Sequence, residues 1–107
     1  MTAMTRMEAK GDEQEAAHQL TLQSAGSTIA FVEYYLFGRV AIVTHTEVDP
    51  AHEGKGHGSE MARLALAHFH RQQWHVVPVC GFFAEQIRRR PEYLDLVTPH
   101  SRRIFGL

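Results

Sequence analysis

The stretch Thr44–Ser59, THTEVDPAHEGKGHGS, constrains this chain more than any other. A β-like segment runs into it and a helix-like segment runs out. Between them Gly54, Gly56 and Gly58 take alternate positions, with Lys55 and His57 interleaved. Glycines so spaced let the backbone approach a ligand with no Cβ in the path. Where such a loop opens a helix, the first amides have no partner within the helix and point outward together. They form an anion site, and phosphate is its usual guest. The loop therefore reads as a grip on the pyrophosphate of a nucleotide-like cofactor, against the plainer reading of a turn that joins strand to helix.

Two common phosphate loops do not fit. A P-loop needs Gly-Lys followed by Ser or Thr, and the chain has no such run. A dinucleotide fold needs G-x-G-x-x-G inside a βαβ unit. Here the segments before the loop read as hairpins, and Ser59 stands where the third glycine belongs.

The flanking segments give the architecture. Residues 1–17 lack sustained periodicity and read as a flexible tail, with a helical turn at Glu13–Ala17. Gln19–Gln23 alternates, with Leu20 and Leu22 on one face. Ala25-Gly26 turns the chain. Thr28–Leu36 is rich in β-branched and aromatic residues, and Arg39–Thr46 is a third strand after the turn at Phe37-Gly38. Turns this short join antiparallel neighbours, so the three strands form a meander. Gly58–Gln73 has apolar residues at helical spacing: Met61, Ala62, Ala65, His68 and Phe69, flanked by Leu64 and Leu66. Trp74–Cys80 follows too far on for a hairpin and should pair parallel after a right-handed crossover. Pro78 cannot donate to a ladder, so one side of this strand is unpaired there. Gly81–Arg90 reads as a helix ended by Pro91, and Pro91–Val97 as a short final helix closed by Pro99. The expectation is an α+β (α/β) fold in one domain, 18–107: a three-stranded antiparallel meander, glycine loop, central helix, splayed parallel strand and C-terminal helices.

Composition narrows the function classes. A chain of 107 residues supports one compact domain. Its formal net charge of −1 gives no basic surface for nucleic acid. No apolar run is long enough to span a membrane, and the N-terminus lacks the core of a signal peptide. A lone cysteine excludes an internal disulfide and fits a reducing, cytoplasmic setting. The eight histidines are scattered and match no zinc spacing, so no metal is expected.

The loop Glu53-Gly54-Lys55-Gly56-His57-Gly58, following a strand that ends in Val-Asp-Pro and leading into an amphipathic helix, resembles the acetyl-CoA loop of the Gcn5-related N-acetyltransferases. Four features together resemble the small single-domain YjdJ-type members, over roughly Leu20 to Val97. They are His45-Thr46-x-Val48-x-Pro50, the glycine loop, Pro78-x-Cys80, and Arg90-Pro91-Glu92-Tyr93-x-Asp95-Leu96-Val97. One departure is Glu53, since most such loops carry Gln or Arg there, and a carboxylate beside a pyrophosphate is unfavourable.

The resemblance implies a cleft where two neighbouring strands splay apart and the pantetheine arm pairs with a free strand edge. It also implies acetyl-CoA or coenzyme A as cosubstrate and an amine acceptor. The helices that shape the acceptor pocket in larger relatives are missing, so an open cleft suits a protein or peptide acceptor. The expected state is a monomer or weak dimer. Val48 is the candidate for pantetheine contacts, and Gly54, Lys55, Gly56, His57, Gly58 and Ser59 for the pyrophosphate.

Acyl transfer needs a deprotonated amine, a held thioester, a donor to the developing oxyanion and a proton for the leaving thiol. Cys80 starts a helix, where a thiol is biased toward thiolate. Its roles are nucleophile, general acid to the departing thiol, or a small buried hydrophobe. His45 and Glu47 share one strand face and are the candidate bases, against an interior His and a solvated Glu. Tyr34 and Tyr35 read as packing. Arg88, Arg89 and Arg90 read as a solvated helix end or as a contact to the 3′-phosphate of CoA. The alternative to an enzyme is a non-catalytic CoA- or acyl-CoA-binding module.

Overall fold

Ala25 and Gly26 have φ of 53° and 82°, both in the left-handed region. A two-residue turn of this kind matches the twist of the strands it joins. It connects β2 (His18–Ser24) to β3 (Ser27–Phe37). Gly38, at φ 59°, turns β3 into β4 (Val40–Val48). The expected meander is thus present, with each strand slightly longer than its apolar pattern. The structure, a computed structural model, describes the backbone of residues 4–9 and residues 17–107 in full.

Residues Met4–Ala9 form a further strand, β1, antiparallel to β2. The reading of this segment as flexible tail is corrected there. A sheet edge offers backbone donors and acceptors to any extended chain, with no need for apolar alternation. The helical turn anticipated at Glu13–Ala17 lies almost wholly outside the described residues.

After β4, α1 (His57–Gln72) crosses back over the sheet. Gln73, at φ 62°, ends it in the left-handed region, and the Trp74 N–H closes on the Phe69 carbonyl at 3.1 Å. β5 (His75–Pro78) then pairs parallel to β4, completing a sheet of order β1-β2-β3-β4-β5. α2 (Gly81–Arg88) follows, then a 3₁₀ turn at Pro91–Leu96. Pro99, read from sequence as a terminator, instead opens α3 (Pro99–Phe105). Proline suits the first helical position because its missing N–H would have no partner there. The Thr98 hydroxyl caps the turn by accepting from the Ser101 N–H at 3.3 Å.

One apolar cluster joins the sheet to α1 and α2. Leu20, Leu22, Val32, Tyr34, Ala41 and Val43 of the strands meet Met61, Leu66, Phe69, Phe83 and Ile87. Phe69 packs edge-on against Tyr34 at 5.0 Å and against Phe83 at 6.3 Å. Tyr34 is packing, as expected, and burial pushes its hydroxyl up to about 12. His68 lies at the rim of this core rather than in it, while Leu66 is fully buried.

Two irregularities in β4 position everything that follows. In the β3–β4 ladder Glu33 pairs with His45 but Tyr34 pairs with Val43, so Thr44 is an extra residue. Its hydroxyl bonds the Glu33 carboxylate at 2.9 Å and carbonyl at 3.3 Å. An inserted residue reverses which face the later side chains take. Ala41 and Val43 are buried before the bulge; Thr46 and Val48 turn to the helix side after it, and His45 and Glu47 turn out.

The second irregularity is the end of β5. Pairing with β4 stops at Val43↔Pro78. The Val79 N–H folds back to the Val77 carbonyl at 3.1 Å, and the Cys80 N–H makes the last bond across, to Val43 O at 3.0 Å. Beyond that point β4 keeps only β3 as ladder partner, as the position of Pro78 led one to expect.

Candidate acyl-transfer site

The free edge of β4, the loop into α1 and one face of α2 enclose a cavity of about 390 Å³. Six of the residues expected to hold a cofactor line it: Val48, Gly54, Gly56, His57, Gly58 and Ser59. Lys55 does not; it is exposed at the loop tip. Glu53 also lines the cavity, next to Gly54.

The glycines serve two different needs. Gly54 and Gly56 have φ of 81° and 80°, which side-chain-bearing residues rarely adopt. Gly58 is helical, and the need there is space. A Cβ on it would lie 3.0 Å from Phe82 Cζ and 3.3 Å from Val48 Cγ2. Gly56 is the N-cap of α1 and brings no capping side chain, so the first-turn amides are left to other partners.

On the α2 wall Arg89 is anticipated by the sequence as a contact to the 3′-phosphate of CoA, whereas Phe82 and Gln86 were missed. Phe82, Gln86 and Arg89 face the cavity. They stand at i, i+4 and i+7, the spacing of one helical face, and that signal was available. Thr46, two residues before Val48 on the same strand face, also lines the cavity.

The three arginines separate. Arg88 pairs with Glu85 and donates to the Gly106 carbonyl at 3.1 Å. Arg89 also pairs with Glu85, at 3.3 Å, and reaches the cavity. Arg90 turns inward to Ser59 and Gln86. The Ser59 hydroxyl is thereby engaged, donating to Gln86 Oε1 at 3.0 Å.

Cys80 is the N-cap of α2, half-buried, and its thiol donates to Thr46 Oγ1 at 3.6 Å. Cys80 itself does not line the cavity; it contacts Thr46, which does. His45 and Glu47 are together but elsewhere. They are hydrogen-bonded at 2.8 Å, with side chains 53% and 55% exposed, on the face of β4 turned away from the helices. The His45 ring lies 5.8 Å from that of Phe31. Alternation separates them from Thr46 and Val48, but it cannot show which pair faces the helices, because the bulge at Thr44 sets that.

A strand edge left unpaired thus stands beside the loop that opens α1, in a chain whose sequence matches a family model. Residues 17–96 match the model of the GCN5-related N-acetyl-transferases. The chain belongs to that family. No curated protein matches it. Family membership supports acyl transfer as the chemistry, and the mixed sheet-and-helix architecture is that of the family's fold. Among the described residues no group of three or more His, Cys, Asp or Glu side chains is placed to hold a metal ion. No described helix is long and apolar enough to cross a membrane.

Proposed function

We propose that this chain is an acetyl-CoA-dependent N-acetyltransferase acting on an amine of a protein or peptide. The observation that carries the reading is the meeting, in one cavity, of the unpaired edge of β4 with the glycine loop that opens α1. Acetyl-CoA, as cosubstrate, supplies an activated acyl carbonyl.

In this reading, backbone groups of Thr44–Val48 hold the pantetheine amides as a fifth-column strand would, and the amides from Gly54 to Ser59 hold the diphosphate. Phe82 and Val48 cover the apolar stretch between. Thr46 and Cys80 then stand at the acyl end. Cys80 acts there as proton donor to the leaving thiol or as nucleophile. His45, hydrogen-bonded to the Glu47 carboxylate at 2.8 Å, takes the acceptor's proton through water from the open face. An acceptor entering from that face meets no covering helix, which suits a lysine side chain on a protein. The lone cysteine fits a cytoplasmic protein.

Release of free thiol from acetyl-CoA, followed with and without a lysine-containing peptide, tests the activity. Amine-stimulated release is expected. Replacing Cys80 by Ala separates its two roles. Loss of all turnover together with an acetyl adduct on wild-type Cys80 by mass spectrometry marks the nucleophile. A fall of about 10²-fold with no adduct marks the general acid.

A second reading, a non-catalytic CoA- or acyl-CoA-binding module, is favoured by two observations. Glu53, an acidic residue, lines the cavity, and the sheet stands between His45–Glu47 and the glycine loop. CoA binding without amine-stimulated thiol release is its signature.

A further inference from the structure

We propose that Arg90 is the positioning residue of the anion cradle. Its guanidinium locks the first turn of α1 to α2 and sets a positive charge, paired with no described carboxylate, behind that turn. This deepens, and rests on, the CoA reading above.

Arg90 Nη1 donates to Gln86 Oε1 at 2.8 Å, and Nη2 donates to the Ser59 hydroxyl at 3.0 Å and the Ser59 carbonyl at 3.3 Å. The Ser59 hydroxyl donates in turn to Gln86 Oε1 at 3.0 Å. Three side chains thus close a ring of hydrogen bonds, with Gln86 only 3% exposed at its centre. Ser59 belongs to the first turn of α1, whose amides line the cavity. The ring therefore fixes where those amides point. The planar fork of an arginine reaches both partners at once, which a lysine ammonium on one flexible stem does not.

The charge is as telling as the geometry. Arg88 and Arg89 share Glu85, whereas no described carboxylate pairs with Arg90, whose partners are all neutral. Arg90 follows the C-terminal end of α2, where it also donates to the Gln86 carbonyl at 3.5 Å, and it stands beside the opening turn of α1. An anion resting on that turn would meet its charge. The arrangement selects a ligand with a diphosphate over a neutral one of the same chain.

The test compares wild type, Arg90→Met and Arg90→Lys by calorimetry with CoA and with pantetheine, which lacks the diphosphate, together with amide hydrogen exchange at Gly58 and Ser59. Arg90→Met is expected to weaken CoA binding by roughly tenfold or more, to leave pantetheine unchanged and to speed exchange at both amides. Arg90→Lys, which keeps the charge, should fall between. In turnover, KM for acetyl-CoA rises while kcat at saturation holds. Equal weakening of both ligands marks a general structural role and overturns the proposal, as does no weakening of either. If Arg90→Met does not fold, the same split between CoA and pantetheine is required of Arg90→Lys. Wild-type protein that binds no CoA brings down the cofactor reading and this inference with it. Wild-type binding matched by Arg90→Met brings down the inference alone.

Discussion

The two faces of β4 hold different chemistry within one short segment. Thr46 and Val48 look toward the helices and line the cavity with the glycine loop. His45 and Glu47 look the other way, exposed and bonded to each other. Strand alternation divides them, and one inserted residue, Thr44, sets which pair faces the helices. Without it, alternation from Ala41 and Val43 would carry His45 and Glu47 to the core side and put Thr46 and Val48 outside. A cavity-lining pair and an exposed, hydrogen-bonded pair are thus built from adjacent residues, with the sheet as the partition.

Deleting Thr44 attacks that division directly and should have the largest effect. The strand must either bury a His–Glu pair or lose its register, at a cost on the order of 3 kcal/mol or more. Urea unfolding should show a lower midpoint or a loss of cooperativity; an unchanged curve would mean that the bulge does not set the facing. Glu47→Gln addresses the open face alone. Amine-stimulated turnover should fall about 10²-fold, with CoA affinity and thermal midpoint unmoved. A change in CoA affinity would break the claim that the two faces act separately. Gly56→Ala addresses the cavity face alone. It forces a side chain to φ 80°, at about 1–2 kcal/mol, and should weaken CoA binding while leaving the His45–Glu47 pair in place. Urea unfolding and calorimetry read the two effects.

The smallest effect belongs to neither face and serves as a baseline. Burial, and then the nearby Arg71 charge, hold His68 below its ordinary value of 6.5. The folded chain therefore resists the proton that the unfolded chain accepts. Stability is complete above that ordinary value and declines as pH falls below it. A Tm series from pH 8 to 5 should fall more steeply for wild type than for His68→Leu. Parallel curves would exclude His68 as a source of acid sensitivity.

Much of this arrangement was readable before folding was considered. The meander follows from alternation and the Ala25-Gly26 turn, α1 from apolar spacing, and the end of β5 from Pro78. The cavity contacts from Val48 to Ser59 follow from the glycines. The bulge was not readable, because an added threonine in a β-rich run changes neither composition nor strand propensity. β1 was not readable because the edge of β2 organises it, whatever its own pattern. The roles of Arg88, Arg89 and Arg90 look identical in the sequence. They diverge only because successive residues on a helix end point in different directions. Phe82 and Gln86 could have been found beside Arg89, had helical spacing been applied to the second helix as it was to the first.

The parallel pairing of β4 with β5 carries a consequence for assembly. The cavity walls come from residues on both sides of the crossover, 46–59 and 82–89. Neither part makes a pocket until α1 has swung across and β5 has docked. A molecule that occupies the pocket thus favours only chains that have completed that docking, and its stabilisation grows with the logarithm of its concentration. In a cell this would tie the survival of the chain to the supply of whatever ligand fills the pocket, so that scarcity of that ligand would be felt as turnover of the chain.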